Sequence, residues 1–137
     1  MKIVSEYDYK AFEQAIEPLW VVQNAADGTD TAKENWAFVV RDKAERVVGG
    51  VGGHIKWDWM YVQHLIVAPE LRGKGAGRDL MHKAEELARR KGVMGMYLKT
   101  LGYQAKDFYL KCGFEVNAVI EDMPKGTNHY TLVKRLG

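Results

Sequence analysis

The stretch Val62–Gly92, VQHLIVAPELRGKGAGRDLMHKAEELARRKG, decides how the chain is read. An apolar run stops at Pro69. Arg72 follows, with glycines at alternate positions, Gly73, Gly75 and Gly77, and then a long charged amphipathic segment. Leu80, Met81, Ala84, Leu87 and Ala88 fall on one helical face, with Arg, Lys, Glu and Asp on the other. The spacing predicts a helix that begins near Gly77 and stops at Gly92. The segment before it, MYVQHLIVA (60–68), predicts a strand whose fully apolar end, LIVA, suits a central position in a sheet.

Glycines between a strand and a helix have a physical use. A helix N-terminus carries free backbone N–H groups and a partial positive charge. Those groups bind phosphate if the backbone can come close. Glycine lacks the Cβ that would obstruct the approach, and it tolerates unusual dihedrals. Arg72, Lys74 and Arg78 add cationic charge at the same point. RGKGAGR therefore reads as a phosphate cradle. The plainer alternative is a glycine-rich turn into a surface helix, because short glycine motifs also arise by chance. Two nucleotide readings fit poorly. A Walker A loop needs Ser or Thr after Gly-Lys to hold magnesium, and here Gly75 follows Lys74. A dinucleotide-binding turn puts its first glycine directly after the strand and an acid at the end of the next one. Here APELR intervenes, and the next strand closes on Lys99-Thr100.

Outward from this stretch, Tyr9, Phe12, Ile16 and Leu19 predict a helix over 5–24, broken, kinked or restarted at Pro18. AADGTDTAKEN reads as a loop. WAFVVRD (36–42) and RVVGGVGGHIKW (46–57) read as strands, and the four glycines of the second suggest a bulge or a close backbone approach. VMGMYLKT (93–100), FEVNAVIE (114–121) and HYTLVKR (129–135) are further strands, and AKDFYLKC (105–112) is a short helix stopped by Gly113. Strands before and after two helices predict a mixed α/β sheet.

The chain has 137 residues, 47% hydrophobic and 28% charged, which suits one compact domain over 1–137 with a real core. A net charge of +2 makes no case for nucleic acid or membrane surface. The one cysteine, Cys112, excludes an internal disulfide and cysteine-rich zinc sites and fits a reducing compartment. MKIVSEYDYK has no apolar signal-peptide core, and no apolar run approaches the roughly 20 residues of a membrane span. The expectation is a cytoplasmic protein with no metal.

Two spaced motifs now resemble a known family, the GNAT superfamily of N-acetyltransferases, in its small single-domain bacterial form. Arg72, Gly75 and Gly77 match its Arg/Gln-x-x-Gly-x-Gly/Ala signature after a strand. FYLKCGF (108–114) matches its aromatic-Tyr-x-Lys-x-Gly-Phe segment. EDMPKGTNHYTLVKRL at the C-terminal end is also similar to small members, so the resemblance runs from the first helix to the last strand.

The resemblance implies an α/β fold of the α+β kind: a twisted, mostly antiparallel sheet whose fourth and fifth strands splay apart. Acetyl-CoA, the co-substrate, would lie in the wedge. Its pantetheine arm would pair with the backbone of Leu65, Ile66 and Val67. Its pyrophosphate would rest on the amides of Arg72, Gly73, Lys74, Gly75, Ala76, Gly77 and Arg78. The acetyl group would pass directly to a primary amine of a small molecule. Tyr109 matches the position of the acid that protonates the leaving thiolate, and a phenol stays protonated at neutral pH. Phe108, its neighbour, reads as a packing aromatic at the cofactor site. Family members often have an asparagine where this chain has Gly102, so Gln104 or backbone takes over its cofactor contacts.

The general base is less direct. Many members carry a carboxylate in the fourth strand where this chain has Gln63 and His64. Gln63 cannot take a proton; histidine titrates near neutral pH. Strand alternation lets only one of the two line the cleft. His54, Glu121 and His129 are further candidates, and solvent or a water chain is the alternative. Trp57, Trp59 and Tyr61 alternate, so one face carries three aromatics; core or a dimer face is the favoured reading over an acceptor pocket. Cys112 reads as packing. A homodimer is compatible with this sequence. Two other functions stay open: an acyl-CoA-binding module with little chemistry, and an acetylase of protein N-termini or lysines. A thiol-release assay over an amine panel separates the first from an active enzyme; an open peptide groove would mark the second.

Overall fold

The computed structural model describes residues 1–103 and 105–137. They form two compact units, Met1–Ala32 and Lys33–Gly137. The expectation that Gln104 contacts the cofactor falls outside the described residues.

In the first unit, helix α1 spans Tyr9–Asp27. The Asp8 side chain caps it by accepting a hydrogen bond from the Ala11 N–H at 3.0 Å. Gly28, at φ 67°, ends it in the left-handed conformation that glycine adopts without strain. The helix runs through Pro18 rather than breaking there. The carbonyl that proline leaves without a helical partner is that of Gln14, an exposed residue, so water can reach it. No residue of α1 is buried, and Leu19, Trp20 and Val22 are exposed. Among the described residues no helix is long and apolar enough to cross a membrane.

The second unit is built on one six-stranded sheet. Its strands are β1 (Glu34–Arg41), β2 (Val47–Lys56), β3 (Trp59–Val67), β4 (Gly95–Leu101), β5 (Glu115–Ile120) and β6 (His129–Arg135), in the order β1-β2-β3-β4-β6-β5. Every neighbouring pair is antiparallel except β3–β4, which is parallel. A parallel pair needs a crossover connection. Helix α2 (Ala76–Lys91) supplies it, after a single 3-10 turn at Pro69–Leu71. Helix α3 (Lys106–Lys111) follows β4.

Alternation decides which side chains meet α2. Trp36 on β1, Val51 on β2, Met60 and Val62 on β3, Met96 and Leu98 on β4 and Leu132 on β6 form one buried cluster. Leu80, Met81, Ala84 and Ala88 of α2 close it, as their helical spacing predicts, with Leu87 partly buried beside them. Lys134 on β6 pairs with Glu85 of α2 and donates to the Cys112 carbonyl oxygen at 2.8 Å, tying helix, strand and the end of α3 together. Cys112 packs against the cluster, as expected.

The glycines of β2 do mark both a bulge and a close approach. Gly52 stands opposite His64 and Gly53 opposite Val62, so Gln63 is an extra residue on β3. A Cβ on Gly53 would overlap the Tyr61 carbonyl oxygen. The bulge also corrects the simple alternation across Gln63 and His64. Met60 and Val62 face the core before it, and Leu65 and Val67 pack against the same core after it. Gln63 and His64 are both exposed. Trp57 and Asp58, at φ 53° and 64°, make the two-residue turn between β2 and β3. Trp57 therefore leaves the strand, and the aromatic stripe is reduced to Trp59 and Tyr61. Both are half-buried and lie outside the buried core, which removes the core half of the expectation of a core or dimer face.

One feature positions the site. β3 pairs with β4 only where Trp59, Met60 and Tyr61 meet Gly95, Met96 and Tyr97. Beyond that point β3 stays on β2, β4 stays on β6, and the two part. Gly53→Ala is expected to lower the unfolding free energy by more than about 2 kcal/mol, because Cβ and the Tyr61 carbonyl cannot share one place. Urea denaturation measures this; an unchanged midpoint would mean that β2 and β3 are not held this closely.

Candidate active site

Where β3 and β4 part, four pieces of chain enclose an open groove of about 640 Å³. One wall is the end of β3, with Leu65, Ile66 and Val67. Its free edge toward β4 offers backbone groups that no ladder pair uses. The turn after the strand contributes Leu71, Arg72, Gly73 and Gly75, and the first turn of α2 contributes Ala76, Gly77 and Arg78. Ala105, Phe108 and Tyr109 form the opposite wall.

The glycines act in two ways. Gly73 and Gly75 have φ of 78° and 84°, the left-handed region that side chains rarely adopt. Gly75 is the N-cap of α2 and offers no side chain to its amides. The first intrahelical bond runs from Asp79 N–H to the Gly75 carbonyl oxygen, so the N–H groups of Ala76, Gly77 and Arg78 have no partner within the helix. With Arg72 and Arg78 on the groove lining, these amides make an anion-binding corner. Gly77 serves packing: a Cβ there would stand 3.4 Å from the Phe108 ring.

Tyr109 is held by ring edges. Phe108 and Phe114 stand at 5.3 Å and 6.2 Å from it, close to perpendicular. Burial, and secondarily the charge of Cys112, push its phenol above the ordinary tyrosine value. It is therefore neutral over the whole physiological range.

The groove brings together a free strand edge, a helix start whose first amides lack helical partners, and a phenol on the facing wall. The model of the acetyltransferase (GNAT) family matches residues 3–114. The chain belongs to this family. It is 38% identical over 91 residues to blasticidin-S acetyltransferase of Streptomyces morookaense, covering 66% of this chain and 67% of that one. It is 33% identical over 123 residues to the acetyltransferase Atu2258 of Agrobacterium fabrum, covering 90% of each. A crystal structure of an acetyltransferase from Bacillus cereus superposes with a TM-score of 0.86 at 27% identity, over 99% of this chain and 98% of that one. The protein is an acyltransferase, and its sheet is the mostly antiparallel one that the resemblance implied.

The groove gathers most of the residues singled out in this GNAT sequence. Leu65, Ile66, Val67, Arg72, Gly73, Gly75, Ala76, Gly77, Arg78, Phe108 and Tyr109 all line it. Lys74 belongs to the same loop but is not on the lining. His64 is exposed on β3 and does not line the groove either. Glu121 is exposed just past β5, and His129 opens β6 opposite Leu101 and Ile120; neither reaches the lining.

His54 lies across from Tyr61 on β2, with ring centroids 5.2 Å apart. Burial first, then the charges of Lys33 and Lys56, hold it below the ordinary histidine value, so it is uncharged at neutral pH. Two lining residues escaped the sequence reading. Leu71 and Ala105 have no chemistry to draw attention, and only the closing of the groove gives them a part.

Spectrophotometric titration of tyrosinate, parent against Tyr109→Phe, is expected to show the Tyr109 phenol ionising above pH about 10. Ionisation below that value would remove the neutral donor from the groove wall.

Proposed function

We propose that the protein transfers an acetyl group from acetyl-CoA directly to a primary amine of a small molecule. The observation that carries this reading is the groove itself, which joins an unpaired strand edge, a helix start rich in free amides and a half-buried phenol. Acetyl-CoA is here a second substrate, not a resident group, and its shape suits that sequence of features. The pantetheine amides would pair with the free edge at Leu65, Ile66 and Val67. The pyrophosphate would take the N–H groups of Ala76, Gly77 and Arg78, with Arg72, Gly73, Lys74 and Gly75 in the loop before them. Phe108 would border the arm. The name of the Streptomyces relative, a blasticidin-S acetyltransferase, supports a small-molecule acceptor.

The chemistry follows from the groups. An ammonium has no lone pair, so the acceptor must lose a proton first. The free amine attacks the thioester carbonyl carbon; a C–N bond forms and the oxygen takes the negative charge. When the carbonyl reforms, the C–S bond breaks and the sulfur leaves with the electron pair. Tyr109 gives that sulfur its proton, because its phenol is neutral and its ring is fixed, and the proton that the attacking nitrogen sheds as it becomes an amide returns to the phenolate through water. The first proton goes to water. Gln63 has no basic atom, and His64 is exposed and outside the groove lining.

A panel of small primary amines, assayed by release of free thiol, tests the reading as a whole. Binding of acetyl-CoA with no thiol release from any of them would leave an acyl-CoA-binding module in its place. Gly75→Glu puts an anion at the pyrophosphate corner and is expected to weaken acetyl-CoA binding at least about tenfold, by calorimetry on protein whose circular dichroism is unchanged. Unchanged affinity would move the cofactor elsewhere. Tyr109→Phe is expected to keep that affinity and slow turnover by about 10²–10⁴-fold; equal rates would make Tyr109 a packing residue. The pH profile of kcat/KM for His64→Ala is expected to overlay that of the parent, rising toward the pKa of the amine. Loss of an acidic limb in the variant alone would make His64 the base.

A further inference from the structure

The aromatic residues that the core does not absorb stand at the apex of the wedge. Tyr61 and Tyr97 are the last opposed pair before β3 and β4 part. Their ring centroids are 4.8 Å apart. His54 adds its ring to Tyr61 at 5.2 Å, and Trp59 meets Tyr97 edge-on at 6.4 Å. Three neighbouring strands, β2, β3 and β4, thus build one continuous aromatic surface.

Alternation puts that surface on the side of the sheet away from α2. Tyr61 lies between the core residues Met60 and Val62, and Tyr97 between Met96 and Leu98, which are 0% and 2% exposed. The rings themselves are only half-buried. Tyr109, by contrast, packs against the core cluster on the α2 side. No ladder pair joins β3 and β4 beyond Tyr61 and Tyr97, so strand pairing does not close the sheet between its two sides there. Glycine makes the aromatic surface possible: a Cβ on Gly95 would stand 2.5 Å from the Trp59 ring.

We propose that the rings of His54, Trp59, Tyr61 and Tyr97 are the platform on which the body of the acceptor lies, and that they select primary amines carried on a flat, unsaturated ring. The inference rests on the transferase reading for the reaction but not for the platform. Flat rings gain most from offset or edge contacts with other rings, whereas a saturated ring of the same size offers only area. Charge narrows the class further. Lys33 and Lys56 act on His54, and the Arg135 guanidinium lies 5.2 Å over the Trp59 ring. These cations disfavour a second positive charge on the acceptor body and favour one that is neutral or carries a carboxylate.

The test compares benzylamine, 4-(aminomethyl)benzoate and cyclohexylmethylamine on the parent, Tyr97→Leu and Tyr97→Phe. Affinities are measured by calorimetry on protein saturated with free CoA, and thiol release is measured separately with acetyl-CoA. In the parent the two aromatic amines are expected to bind about five- to tenfold more tightly than the saturated one. Tyr97→Leu is expected to erase most of that ratio, with acetyl-CoA affinity unchanged. Tyr97→Phe keeps a ring and is expected to keep the ratio, which separates the platform from a merely structural role. The ratio between proteins cancels the differing basicities of the amines. Thiol release with equal affinities for flat and saturated rings would overturn the platform and leave the transferase. A flat-ring preference that Tyr97→Leu abolishes, without thiol release, would support the platform and overturn the transferase reading.

Discussion

The structure depends on the parting of two strands. β3 and β4 share a short parallel contact and then separate, each keeping one partner, β2 on one side and β6 on the other. A sheet normally satisfies its backbone groups by closing such a gap. Here the gap is held open, because the chain between the strands does not return at once. It makes a tight turn, runs through α2 and enters β4 only at the far end of the wedge. The open edge of β3 and the amides at the start of α2 then face one space. A strand edge and a helix start both carry unpaired backbone groups, and bringing them together makes a site out of what would otherwise be two local costs.

Keeping the gap open requires close contacts elsewhere. Gly53 lets β2 approach Tyr61, and the extra residue Gln63 turns β3 so that Leu65 and Val67 return to the core side. Without the bulge the side chains beyond it would alternate the other way, and Ile66, now 66% exposed, would replace them. Gly77 admits the Phe108 ring against α2 and so brings α3, with Tyr109, to the groove wall. Glycines at three places thus serve three different needs: backbone approach, left-handed turns, and ring packing.

The two sides of the sheet differ in character. The α2 side carries the buried core with the half-buried Tyr109 against it, and burial raises that phenol's pKa. The other side is half-open and aromatic, with His54, Tyr61 and Tyr97 in contact. In the proposed transfer such a division would let each of the two substrates be recognised by different forces.

The local sequence was sufficient for most elements. The spacing of Leu80, Met81, Ala84 and Ala88, with Gly92 after them, marks α2, and the run HYTLVKR coincides with β6. The two signatures around Gly75 and Tyr109 indicated the family and most of the groove lining, because backbone dihedrals and packing there demand particular residues. At Pro18 the sequence left a break, a kink or a restart open, and the helix continues, since a break there depends on whether water reaches the carbonyl that proline frees, which is not a local property. Tertiary structure alone decided which strands pair and where pairing stops. It placed the bulge at Gln63, moved Trp57 into a turn and joined Tyr61 to Tyr97 across the parallel contact. Those residues are distant in the chain, and periodicity within one strand carries no information about the register of its neighbour.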